Sequence, residues 1–92
     1  SWRPQAENDL MAIIERIWQD NPERAVTFAK EIQSKTEKLR EHPALYRAGR
    51  KRGTRELVAH ANYILIYRVL KRKQTVEILR VKHTAQQWPR HP

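Results

Sequence analysis

Residues 54–82 read TRELVAHANYILIYRVLKRKQTVEILRVK, and this stretch decides the fold. Three runs within it, Thr54 to His60, Tyr63 to Leu70 and Thr75 to Lys82, are rich in β-branched and aromatic residues. That is the composition of strands with a pleated, half-buried surface. Only Ala61-Asn62 and the charged Lys71-Arg72-Lys73 separate them. Links this short join antiparallel neighbours, because a parallel return needs a crossover of about a dozen residues. The middle run is apolar at nearly every position from Tyr63 to Tyr67. Such a run suits a strand with one face on helices and the other in a partly covered groove.

Upstream, the period changes from two to 3.6 residues. Leu10, Ile13, Ile14 and Ile17 fall on one stripe of the segment 6–19, with Glu7, Asn8, Glu15 and Arg16 elsewhere, which predicts an amphipathic helix. Asn21-Pro22-Glu23 stops it and starts another. Asn caps, Pro fits the first helical position, and Glu suits the positive end of the helix dipole. The second helix, over 22–41, carries Ala25, Phe28, Ala29, Ile32, Thr36 and Leu39 on one face and ends before Pro43, which disfavours helical geometry at His42. Leu10, Ile13, Ile17, Phe28, Ile32 and Leu39 are core by their spacing. The predicted fold class is α+β: an antiparallel helix hairpin on an antiparallel sheet of three to four strands. Ser1–Arg3 is a candidate edge strand, and 83–92 forms a tail.

At 92 residues the chain has material for one domain, 1–92, with a modest core. It has no cysteine, which excludes disulfides, thiolate metal sites and a Cys nucleophile. The four histidines are scattered without paired carboxylates at ligand spacing, so neither metal nor cofactor is expected. The apolar runs are too short to span a membrane and there is no signal-like h-region. Both point to a soluble, cytoplasmic protein. An opening Ser1 in place of Met predicts that a few residues precede it.

The formal charge of +9 is unevenly placed. Residues 1–39 hold six Lys or Arg against seven Asp or Glu, whereas 40–92 hold thirteen against three. A one-sided positive field of this kind steers toward nucleic acid or an acidic protein. Residues 42–53, with Pro43, Gly49 and Gly53 among Arg47, Arg50, Lys51 and Arg52, read as a basic loop without periodicity.

Several ordered stretches carry a family likeness across almost the whole chain. They are Trp2-Arg3-Pro4-Gln5-Ala6 with Asp9-Leu10, Asn21-Pro22-Glu23, Leu39 with His42-Pro43, and Gly53 to Val58. Asn62 to Val69 and Val76 to His83 follow, and then a Gln-Gln-Trp-Pro tail. With these the chain resembles the RelE/ParE superfamily of toxins from type II toxin-antitoxin modules. The resemblance implies a small α/β toxin held inactive by an acidic antitoxin in a toxin-antitoxin hetero-oligomer. Its members divide by target: some cleave mRNA in the ribosome, and ParE-like members poison DNA gyrase.

The ribonuclease members place an Arg directly after the aromatic that opens the middle strand, and some carry lysines on the strand before. Here those positions are Ile64 and Leu57, Val58 and Ala59. The ParE-like branch, with gyrase as target and no chemistry of its own, is therefore the leading expectation. The alternative is a ribosome-dependent endonuclease using His83, Arg80, Tyr63 and His60. A third reading is a toxin fold that only binds its antitoxin.

Each residue has a plainer reading beside the functional one. His83 can be a solvated strand end, and His60 with Asn62 can shape a turn. Arg80 interrupts an apolar strand and needs an anionic partner, which Glu56 or Glu77 could supply. The candidates for target contact are Arg47, Arg50, Lys51, Arg52, Arg55, Lys82 and Trp88, the last of which could equally plug the core. The antitoxin candidates are Leu10, Ile14, Trp18 and Arg68, covered in helix-in-groove or added-strand manner.

Overall fold

The computed structural model describes residues 1–44, 46–60 and 62–85. Helix α1 spans Pro4–Asp20 and helix α2 spans Pro22–Glu41. Pro4 stands in the first turn of α1, two residues before the periodicity begins, because Pro tolerates the helix start and its missing N–H is lost there anyway. The Asn21 N–H closes α1 on Ile17 O at 2.7 Å, and the Asn21 side chain accepts from Arg24 N at 3.2 Å to open α2. One residue thus serves both ends, which makes the hairpin tight.

The sheet has four antiparallel strands in the order β1-β2-β3-β4: Arg47–Ala48, Arg55–His60, Tyr63–Leu70 and Thr75–His83. The first was not expected. Arg47 and Ala48 pair with Glu56 and Arg55, so the basic loop is a short hairpin. Two local requirements shape it. A Cβ at Gly49 would run into the Thr54 hydroxyl, and Gly53 has φ +82, in the left-handed region. At the other edge Trp2 forms a parallel bridge with Ile78, and Ser1 O accepts from Ile78 N at 2.8 Å. The edge strand expected at Ser1–Arg3 is therefore an isolated bridge.

Both helices lie on one face, α1 mainly over β4 and α2 over β2. The core joins Ala6, Ile13, Phe28, Ile32 and Leu39 of the helices to Leu57, Leu65, Tyr67, Ile78 and Val81 of the sheet. Leu10 and Ile17, expected in the core, are only partly buried and pack on its border. Tyr67 is fully buried, and its hydroxyl donates to Pro43 O at 2.8 Å, which ties the chain leaving α2 to the sheet. Burial also pushes this phenol above its ordinary pKa. Strand alternation turns Ile64, Ile66 and Arg68 to the opposite face, where the two isoleucines are nonetheless buried.

Candidate functional site

Three regions gather the polar and exposed apolar groups. The first is the β1–β2 hairpin. Glu56, 3% exposed, accepts from the Arg47 guanidinium at 3.1 Å and from Arg50 N at 3.2 Å. Arg55 donates to Tyr46 O at 2.8 Å and Ala44 O at 3.5 Å. Two of the cations expected to meet a target, Arg47 and Arg55, thus hold the hairpin together. Lys51 and Arg52 stand exposed at its tip beside the exposed Arg50. Lys82 is on β4, at the opposite side of the sheet order from β1, so it does not join this group. Trp88 lies outside the described residues.

The second region is the outer surface of the helix hairpin. Met11, Trp18 and Val26 are 65%, 53% and 47% exposed. Beside them an apolar groove of about 540 Å³ runs between the helices, lined by Leu10, Met11, Ala29 and Ile32 with Trp2 at one side. Leu10, Ile14 and Trp18 belong to α1 as expected. Arg68 does not sit with them: it is on the far face of the sheet, bonded to Glu77 at 2.6 Å. Met11 and Val26 went unnoticed in the sequence because a lone apolar residue off the core stripe carries no periodic signal.

The third region lies between α1 and the end of β4. Arg80 finds its anion in Asp9 of α1, through Nε at 2.7 Å and a terminal nitrogen at 3.0 Å. Neither Glu56 nor Glu77 is the partner, because both are taken by other arginines. Asp9 also accepts from Val81 N at 3.0 Å. Burial pushes this carboxyl up, and the bonds from Arg80 and Val81 with the nearby charge of Lys82 more than offset it. Its pKa therefore falls below the ordinary value. Asp9 and Arg16, seven residues apart, share one border of the α1 stripe, the signal that could have found them.

Tyr63, Arg80 and His83 line this cleft together, and His60 does not. The rings of Tyr63 and His83 meet edge to face at 5.1 Å. His83 Nδ1 accepts from Ala85 N at 2.9 Å, so the proton of the neutral ring is on Nε2. His60 instead packs edge-on against Phe28 at 5.7 Å, with Nε2 4.0 Å from Glu31 and Nδ1 buried without a hydrogen-bond partner among the described residues. It is a wedge between α2 and the sheet, where a turn-shaping residue was expected.

Residues 1–88 match the family described as ParE toxin of type II toxin-antitoxin system, parDE. The chain belongs to the ParE toxin family. It is 40% identical over 89 residues to "Putative toxin Y4kP" of Sinorhizobium fredii, covering 96% of this chain and 90% of that protein. A solved structure titled "Chromosomal ParDE TA system from P. aeruginosa" superimposes with a TM-score of 0.77, over 89% of this chain and 90% of that one, at 22% identity. That last likeness speaks for the fold. As a ParE-family toxin of a type II toxin-antitoxin system, within the RelE/ParE superfamily, the chain has an antitoxin as its partner. No helix among the described residues is long and apolar enough to cross a membrane.

Proposed function

We propose that this toxin acts in the cytoplasm by binding DNA gyrase and stalling it on cleaved DNA, without chemistry of its own. The observation that carries this reading is the occupation of Arg80. A ribonuclease on this scaffold needs a cation able to meet the developing phosphorane charge, and Arg80 is committed to Asp9 by two bonds. Ile64 stands where ribonuclease relatives carry an arginine, and no lysine takes its place at Leu57, Val58 or Ala59. The exposed tip cations Lys51 and Arg52 are then the groups available to an acidic target surface.

Messenger RNA cleavage is favoured by one observation, the meeting of Tyr63, Arg80 and His83 in a single cleft. The two readings separate on growth inhibition after induction. Under the gyrase reading His83→Ala keeps toxicity and the pair Lys51→Glu, Arg52→Glu weakens it. The reverse pattern, with both variants folded, contradicts it.

The antitoxin is proposed to be an acidic protein with an amphipathic helix laid over Leu10, Met11, Ile14 and Trp18. Half-exposed Trp18 adds little to the fold but is the kind of large anchor that dominates an interface. Trp18→Asp should weaken the complex by at least about 30-fold, equivalent to about 2 kcal/mol, with unchanged toxin stability. Isothermal titration with the cognate antitoxin checks it, and an unaltered affinity removes α1 from the interface.

A further inference from the structure

We infer that the cleft between α1 and the end of β4 is a phosphate site that seats the backbone of a nucleic-acid strand. The cleft has a volume of about 410 Å³, and among the described residues Asp9 is the one carboxylate lining it. That carboxylate is already used by Arg80 and by Val81 N–H. Arg16 and Lys82, which share the cleft, make no hydrogen bond or ion pair among the described residues. Three cations therefore face one satisfied anion, and two of them have their donors to spare.

Lys82 is half-buried on a paired strand, so the sheet fixes its backbone position. Its charge acts on Asp9 at a distance but its hydrogen-bond donors are left for a bound phosphate. Ala12 and Ile13 of α1 also line the cleft.

The donor set favours a phosphodiester over the carboxylate of an acidic peptide. A guanidinium, an ammonium and the Tyr63 hydroxyl, which makes no hydrogen bond among the described residues, suit a tetrahedral anion whose oxygens point in several directions. The Tyr63 and His83 rings at the same cleft add a surface on which a neighbouring base can stack. The inference does not rest on gyrase being the target, because it concerns binding by the chain alone.

The test is fluorescence anisotropy of the full chain with short labelled strands of DNA and of RNA, across a salt series. The variants are the pair Arg16→Gln, Lys82→Gln and, as a charge-matched control, Lys30→Gln, Lys38→Gln on α2. The cleft pair should weaken binding about tenfold and reduce the slope of log affinity against log salt by about 1.4. The control should change affinity less than twofold, and the DNA and RNA arms show which strand is preferred. In a second measurement, inorganic phosphate added to the parent chain should shift the amide signals of Lys82 and His83. Equal losses in both pairs, or an unshifted spectrum, overturn the site. So does displacement of phosphate by a glutamate-rich peptide while oligonucleotides fail to bind.

Discussion

Phe28→Ala should lower the stability of the chain by about 3–5 kcal/mol. The side chain is 2% exposed and lies where α2 meets the ends of β2 and β3. Its ring meets Tyr63 at 5.2 Å and His60 at 5.7 Å, both edge-on. Truncation removes the apolar transfer of a whole ring and two aromatic contacts, and leaves a cavity that helix and sheet cannot both move to fill. A domain of this size has about 5–15 kcal/mol of stability in total, so the variant should sit close to unfolding at 37 °C. Urea unfolding followed by circular dichroism measures it. A loss under about 1 kcal/mol would mean that the aromatic cluster does not hold α2 to the sheet.

The second large effect is expected at Asp9. Asp9→Asn keeps an oxygen that can accept from Val81 N–H but leaves Arg80 without its counter-charge in a partly buried position. Breaking such a pair from one side should cost about 3 kcal/mol near neutral pH. The pH dependence follows from the lowered carboxyl. The folded chain keeps Asp9 ionised at acidities where the unfolded chain has begun to bind a proton. The stabilisation is thus complete above about pH 4 and is lost as pH falls through the folded-state value. Thermal melts of parent and variant should differ most at neutral pH and converge in acid. A constant difference across the range would show that the charge of Asp9 contributes nothing.

What was legible in the sequence is what repeats. The period of 3.6 over 6–19 and 22–41, the Asn21-Pro22 break and the three β-branched runs all correspond to elements of the structure. Strand β1 left no such trace, because two residues cannot alternate and Arg47–Ala48 is polar and small. It exists because a buried Glu56 draws in Arg47 and the backbone of Arg50.

The same limit applied to the candidate site. A cation on a surface and a cation tying down a loop look alike in sequence, and Arg47 and Arg55, which the sequence offers as target contacts, also hold the hairpin. Arg80 needed an anion, but its partner lies 71 residues away, and only the packing of α1 along β4 brings Asp9 to it. Arg68 and Trp18 were grouped for their chemistry, and strand alternation puts the sheet between them.

The central claim is that this ParE-family toxin works on gyrase and not on mRNA. It is tested most directly by adding the purified chain, side by side, to gyrase supercoiling reactions with trapping of cleaved DNA and to ribosomes programmed with mRNA. The account predicts loss of supercoiling and accumulation of cleaved DNA held on gyrase, with the mRNA intact. Codon-spaced cuts in the mRNA with gyrase unaffected would contradict it and turn the cleft of Tyr63, Arg80 and His83 into a catalytic one.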